Sequence, residues 1–196
     1  MDECCRRDDA IANTLIFIRH AKTKKEPNVP IERWVLAEEG LRSAQELAES
    51  GIFDDVDVLV SSDENKAYLT LKPLADKLKK KIMRVKELGE IKRPNSESLP
   101  TKEYEEVKAR LLKDIDYTER GWETANHALN RFQTAVNKVD REYDDKKLLI
   151  CAHGTVLTLY FAALQNKLDR LFSRWKELEF GSYGVVQNGK VVKDIV

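Results

Sequence analysis

A chain of 196 residues is long enough to bury a sizeable core in one α/β domain. Lys+Arg and Asp+Glu balance at 34 each, which excludes the strong global field of a nucleic-acid or acidic-membrane binder. No apolar run approaches a membrane span, and the start Met1-Asp2-Glu3-Cys4-Cys5 lacks the apolar segment of a secretory signal, so the expected location is cytoplasmic.

Residues 1–12 read as a loosely packed or disordered polar tail, and 13–196 as a single domain. The three cysteines are an odd number without metal-ligand spacing. Cys4 and Cys5 fall in the tail, while Cys151 sits inside an apolar run and reads as a small buried hydrophobe.

The first apolar run, Leu15-Ile16-Phe17-Ile18, is too short for a helix and predicts a strand buried on both faces. It delivers Arg19 and His20 to its carboxyl end, where open α/β sheets place their ligands. Residues 24–34 hold Pro27 and Pro30 without periodicity and predict a loop beside that edge, its Lys22, Thr23, Lys24, Lys25, Arg33 and Trp34 within reach of a substrate. Residues 37–50 form an amphipathic helix on Leu41, Ala44, Leu47 and Ala48, stopped by Gly51. A second strand, 56–60, runs into Ser61-Ser62-Asp63, which offers N-cap side chains to a helix striped by Ala67, Leu71, Leu74, Ala75 and Leu78. Pro73 inside that stripe predicts a kink.

A short third strand, 82–85, precedes Glu87-Leu88-Gly89-Glu90, and the polar stretch 94–100 reads as a loop or lid. Tyr104, Val107 and Leu111 predict a helix over 101–113, and a longer helix follows over 122–143. His127 lies outside the apolar stripe of that second helix and reads as a surface residue. Leu148-Leu149-Ile150-Cys151-Ala152 repeats the design of the first strand and ends in His153-Gly154-Thr155, ahead of a buried helix over 156–164. Asn188-Gly189 between β-branched pairs signals a C-terminal hairpin over 184–192. The expected fold is α/β, a mostly parallel mixed sheet covered by helices on both faces.

Two of the three histidines directly follow buried strands, so neighbouring parallel strands would bring His20 and His153 to one edge. A neutral imidazole is a competent nucleophile near pH 7, and phosphorus accepts it by in-line displacement. The phosphoryl oxygens then need fixed cations and donors. Arg19 can fork onto two of them, Lys66 adds a point charge, His153 can donate, and the amides of Gly154 and Thr155 open a helix. A carboxylic acid must protonate the leaving alkoxide; chain order favours Glu90, with Glu87 as the fallback.

These residues resemble the histidine phosphatase superfamily, the phosphoglycerate-mutase-like proteins. Arg19-His20-Ala21 with Thr23 is similar to its Arg-His-Gly signature, and Leu36-Ala37-Glu38-Glu39-Gly40 to the entry of its first helix. Ser61-Ser62 through Lys66-Ala67 to Thr70 is similar to its Ser-Ser-x-x-x-Arg-Ala-x-x-Thr segment, and Leu88-x-Glu90 to the segment holding the acid. Ala152-His153-Gly154 resembles its second histidine motif, and Gly121-Trp122-Glu123-Thr124 a Gly-Glu-Ser/Thr element that makes Glu123 a substrate-loop candidate. The resemblance implies a three-layer α/β/α sandwich, a phosphohistidine on His20, phosphate held by Arg19, His153 and Lys66, and Glu90 as proton donor. It implies no metal and no cofactor.

Two departures stand out: Ala21 in place of Gly, and Lys66 in place of the second Arg, which gives up bidentate contact but keeps the charge. Glu64-Asn65-Lys66-Ala67 together with the Pro-rich loop ending in Trp34 resembles one branch of the superfamily. The expected activity is a phosphatase acting on a small phosphorylated substrate, with no nucleic-acid or membrane partner. The alternatives are a phosphoglycerate-mutase-type transfer and a phosphate-binding module with weak turnover. The loops that would select the substrate, 22–34 and 94–117, carry no pattern that names it, and nothing in the sequence sets the oligomeric state.

Overall fold

A computed structural model describes residues 12–94 and 98–196; the expectations for Cys4, Cys5 and most of the N-terminal tail lie outside the described residues. Strand β1 (Thr14–Arg19) leads through a 3₁₀ turn at Ile31–Arg33 to helix α1 (Glu38–Glu49), β2 (Val58–Ser61), α2 (Asn65–Leu78) and β3 (Ile82–Arg84). Helices α3 (Thr101–Lys113) and α4 (Ala125–Arg141) precede β4 (Lys147–Ala152), α5 (Gly154–Leu164), α6 (Leu171–Glu177) and the hairpin β5 (Tyr183–Gln187) and β6 (Lys190–Lys193). The sheet order is β3-β2-β4-β1-β5-β6, with β1, β2, β3 and β4 parallel and the hairpin antiparallel.

The two apolar runs behave as fully buried strands because their side chains alternate between two separate cores. Leu15, Phe17, Leu148 and Ile150 face a core with α3, α4, α5 and α6. Ile16, Ile18, Leu149 and Cys151 face a second core with α1 and α2. Each fully buried side chain of this kind contributes about 1.5–3 kcal/mol, and the two layers together fix the register in which β1 and β4 pair.

That register sets the site. Arg19 lies opposite Ala152 and Ser61 opposite Cys151, so His20, Ser62 and His153 leave the sheet side by side at its carboxyl edge. The His20 amide donates to the Ala152 carbonyl at 3.0 Å and continues the ladder one residue past the strand. Gly40 is required at the start of α1, because a Cβ there would meet the Lys22 carbonyl oxygen at 2.1 Å. The hairpin turn holds Asn188 and Gly189 at φ 51° and 68°, the left-handed pair that a tight two-residue turn demands.

Several boundaries differ from expectation. Helix α4 starts at Ala125, where the Thr124 hydroxyl caps it by accepting from the His127 amide at 3.1 Å. Leu41 is exposed, so α1 buries only the Ala44 and Ala48 part of its stripe. Pro73 sits within α2, which continues through it from Asn65 to Leu78. The N-cap of α2 is Glu64 and not a serine or Asp63, because the Ser62 hydroxyl is turned toward His153. Among the described residues no helix is long and apolar enough to cross a membrane.

Candidate active site

The imidazoles of His20 and His153 lie with ring centroids 5.1 Å apart at the carboxyl edge. His20 is buried, and its Nδ1 is 2.8 Å from the carbonyl oxygen of Ala21, which orients that nitrogen as the N–H donor and leaves Nε2 with its lone pair. Burial, then the neighbouring His153 and the Lys66 charge, lower the His20 pKa well below its ordinary value. Burial, followed by Lys66, does the same to His153. Both rings are therefore neutral at pH 7, the state a nitrogen nucleophile requires.

His153 Nε2 bonds the Ser62 hydroxyl at 2.7 Å and approaches Glu64 Oε1 at 3.3 Å. Its Nδ1 is buried without a protein partner. Arg19 reaches the same space from β1: one guanidinium nitrogen donates to the Leu178 carbonyl, while Nε is buried without a partner. Its Cζ lies 4.1 Å over the Phe180 ring. Gly154 makes room for it, since a Cβ there would come within 3.2 Å of Arg19 Cζ.

Glu90 closes the other side. Its carboxylate accepts from the amides of Thr155 at 3.0 Å and Ile91 at 2.8 Å. Burial alone would raise its pKa, but the Lys108 charge and the two amide bonds outweigh burial and hold it well below the ordinary carboxylate range. Glu90 is accordingly ionised while the site is empty.

The candidates named from sequence separate into two groups. Arg19, His20, Thr23, Lys25, Trp34, Lys66, Glu90, His153 and Gly154 line one cleft of 180 Å³. Four do not. Lys22 points to solvent and pairs with Glu39 at 2.6 Å. Thr155 spends its amide on Glu90 and its hydroxyl on Lys108, so it braces the cleft from behind. Glu87 is exposed on a larger groove between β3 and α4 that contains neither His20 nor His153. Glu123 lies outside the cleft, bound by Arg131 at 2.8 Å, the Lys92 amide at 3.0 Å and His127 at 2.7 Å. Arg131 in turn donates to the carbonyls of Gly89 and Glu90 at 3.1 and 3.2 Å. Glu123 thus anchors the backbone that carries Glu90 and is not part of the cleft lining.

Three charged residues of the site have no role assigned from sequence: Glu64, Lys108 and Arg93, whose guanidinium lies 4.8 Å over the Tyr104 ring. Glu64 is buried between Lys66 Nζ, the Glu90 amide at 2.8 Å and His153. Lys66 also donates to the Ile31 carbonyl at 3.0 Å, which leaves one of its three donors for the cleft. Lys108 is fully buried, with Nζ 2.7 Å from the Thr155 hydroxyl and 5.3 Å from the Tyr104 ring centroid. Its position was readable, because it falls four residues after Tyr104 on the apolar stripe of α3. Glu64 has no such periodic signal and stands out only as the first residue of the Glu64-Asn65-Lys66-Ala67 segment. Among the described residues no group of three or more His, Cys, Asp or Glu is placed to hold a metal ion.

Known structures share this architecture. Bacillus stearothermophilus YhfR superposes with a TM-score of 0.77 at 21% identity, covering 94% of this chain and 96% of its own. The mycobacterial glucosyl-3-phosphoglycerate phosphatase Rv2419c gives 0.74 at 17% identity over 94% and 99%. Phosphoserine phosphatase from Entamoeba histolytica, in complex with 3-phosphoglyceric acid, gives 0.69 at 16% over 88% and 89%. At these identities the likeness is one of fold. No curated protein sequence matches the chain. The family profile for the histidine phosphatase superfamily (branch 1), however, matches residues 15–187, a span that takes in both strand-end histidines and Glu90. The chain belongs to the histidine phosphatase superfamily.

Proposed function

We propose that the protein is a phosphoric monoester hydrolase that works through a phosphohistidine on His20. The observation that carries this reading is the pairing of a neutral His20, its Nδ1 tied to the Ala21 carbonyl, with a His153 whose Nδ1 is buried without a partner one ring away. His20 Nε2 attacks phosphorus and the ester P–O bond breaks on the opposite side. Arg19 and His153 hold the equatorial oxygens, with His153 donating from Nδ1 while the Ser62 hydroxyl proton turns to Nε2. The remaining donor of Lys66 adds a third contact.

Glu90 supplies the proton to the departing alkoxide. It is ionised in the empty cleft, and takes up a proton as the negatively charged ester enters, because two like charges in one desolvated site cannot both persist. In the second half of the cycle the carboxylate left behind removes a proton from the water that attacks phosphohistidine. Fixed positive charge on protein side chains faces the phosphoryl oxygens throughout the cycle.

The test compares phosphate release from an aryl phosphate by the unmodified chain and by His20→Ala, with a stopped-reaction assay for acid-labile phosphoenzyme. Turnover and label in the unmodified chain, both lost in His20→Ala, support the proposal; equal rates in the two reject it. One observation favours a phosphate-binding module with weak turnover: Glu64 already neutralises Lys66. Phosphate binding without any labelled histidine would decide for that module.

A further inference from the structure

The cleft has two chemically different halves. Its floor holds the imidazoles and charges described above. Beyond the floor the lining is mostly carbon, from Ile31, Trp34, Leu99, Tyr104, Trp175 and Phe180, interrupted by the polar Thr23, Lys25, Arg93 and Ser98. Phe180 remains 45% exposed although it is a large apolar side chain, and its ring centroid lies 5.6 Å from that of His20. It is fixed there, because the following amide of Gly181 donates to the Arg19 carbonyl at 3.1 Å and Arg19 stacks on the ring.

The other rings are also held edge and face. Tyr104 packs on Trp175 at 5.9 Å, and Trp175 stacks on Phe172 at 5.8 Å. The Trp34 N–H is spent on the carbonyls of Glu26 and Val29, both at 2.9 Å, so this indole has only carbon left to offer a ligand. Sugar hydroxyls or an amino acid ammonium group would need acceptors. The acidic side chains of the cleft are Glu64 and Glu90, each already holding two protein donors. A polyol leaving group would lose its water against these rings and regain only part of it from Lys25, Arg93 and Ser98, whereas a flat ring would gain stacking partners. At 180 Å³ the cleft lies below the roughly 300–1,000 Å³ of sites for drug-sized ligands. It suits a phosphate with one small ring, not a dinucleotide.

Resting on the phosphatase reading, we infer that the leaving group this cleft selects is a single aromatic or heteroaromatic ring close to the ester oxygen: the substrates are small aromatic phosphomonoesters. The carbon wall of Trp34, Trp175 and Phe180 beside the two histidines is the feature that assigns them.

The test uses two esters of primary alcohols, 2-phenylethyl phosphate and glycerol 3-phosphate, so that alkoxide basicity does not set the order. The expected kcat/KM ratio is at least about tenfold in favour of the phenylethyl ester, carried mainly by KM. Trp175→Ala and Phe180→Leu should each bring the ratio several-fold closer to one. Binding of phenylphosphonate and methylphosphonate to the unmodified chain, followed by calorimetry, reads the same wall without turnover or mutation, and the phenyl compound should bind tighter. Hydrolysis of both esters at equal rates, or faster for glycerol 3-phosphate, overturns this inference and leaves the phosphatase standing. Absence of hydrolysis of either ester and of aryl phosphate overturns the phosphatase reading. In that case tighter phenylphosphonate binding still identifies the wall as an aromatic subsite, and equal binding removes it.

Discussion

Lys108 and Glu90 are joined through one residue: Lys108 Nζ donates to the Thr155 hydroxyl at 2.7 Å, and the amide of the same Thr155 donates to Glu90 at 3.0 Å. A buried cation thus joins the Thr155 and Ile91 amides in holding the proposed acid ionised, and reaches it through Thr155.

This arrangement has a stability signature. Burial, only partly offset by Glu90, lowers the Lys108 pKa from 10.5 to about 8. Between those values the unfolded chain holds a proton that the folded chain has lost, so stability rises with pH across that window. The full difference is about 3 kcal/mol. Lys108→Met should unfold with a flatter dependence on pH in denaturant titrations at pH 8 and pH 10.5. An identical slope in both proteins would show that Lys108 does not titrate there.

Glu64 gives the site a carboxylate where a phosphate must bind. Glu64→Gln removes the charge that neutralises Lys66, so inorganic phosphate should inhibit about tenfold more tightly, about 1.4 kcal/mol. Lys66→Ala should act in the opposite direction, weakening phosphate by about 1.5–3 kcal/mol, the scale of a charged hydrogen bond. Competitive inhibition constants measure both. If the two constants move together, the pair does not govern anion binding.

For Glu90 the discriminating variable is the leaving group. Glu90→Gln should slow alkyl esters far more than activated aryl esters, because good leaving groups depart with little protonation. A leaving-group series in kcat/KM reports this as a steeper slope for the variant, and parallel slopes would assign the proton to another group.

Gly40→Ala tests how the substrate loop is held. The added methyl would sit 2.1 Å from the Lys22 carbonyl oxygen, which accepts from the Ala37 amide at 2.9 Å. The chain has to move, at a cost of about 1–3 kcal/mol. Equilibrium unfolding should show that loss, together with a raised KM, since Thr23 and Trp34 lie in the same segment.

The reactive pair was legible because strands buried on both faces read as continuous apolar runs, and polar residues that end such runs fall at the ligand edge. Helix ends and turns were legible where local chemistry decides them, as at Gly51 after α1 and at Asn188-Gly189 in the hairpin turn. The aromatic lining was not, because Trp34, Tyr104 and the stretch from Trp175 to Phe180 are three separate segments whose convergence depends on tertiary packing. The partner of Glu123 was hidden for a related reason: a carboxylate beside a helix entry looks the same in sequence whatever it faces, here an arginine eight residues on. Glu64 escapes because a buried carboxylate has no periodicity and is recognised only by its partners.

The position of β4 between β2 and β1 has a kinetic corollary. β1 pairs only with β4 and β5, and β2 only with β3 and β4, so before β4 inserts the sheet exists as two unconnected halves. His20 is made early in synthesis, yet it meets His153 only when this late central strand docks and closes a loop of more than a hundred residues, the slow kind of event in folding. Regain of phosphatase activity during refolding should therefore coincide with completion of the whole sheet and never precede it.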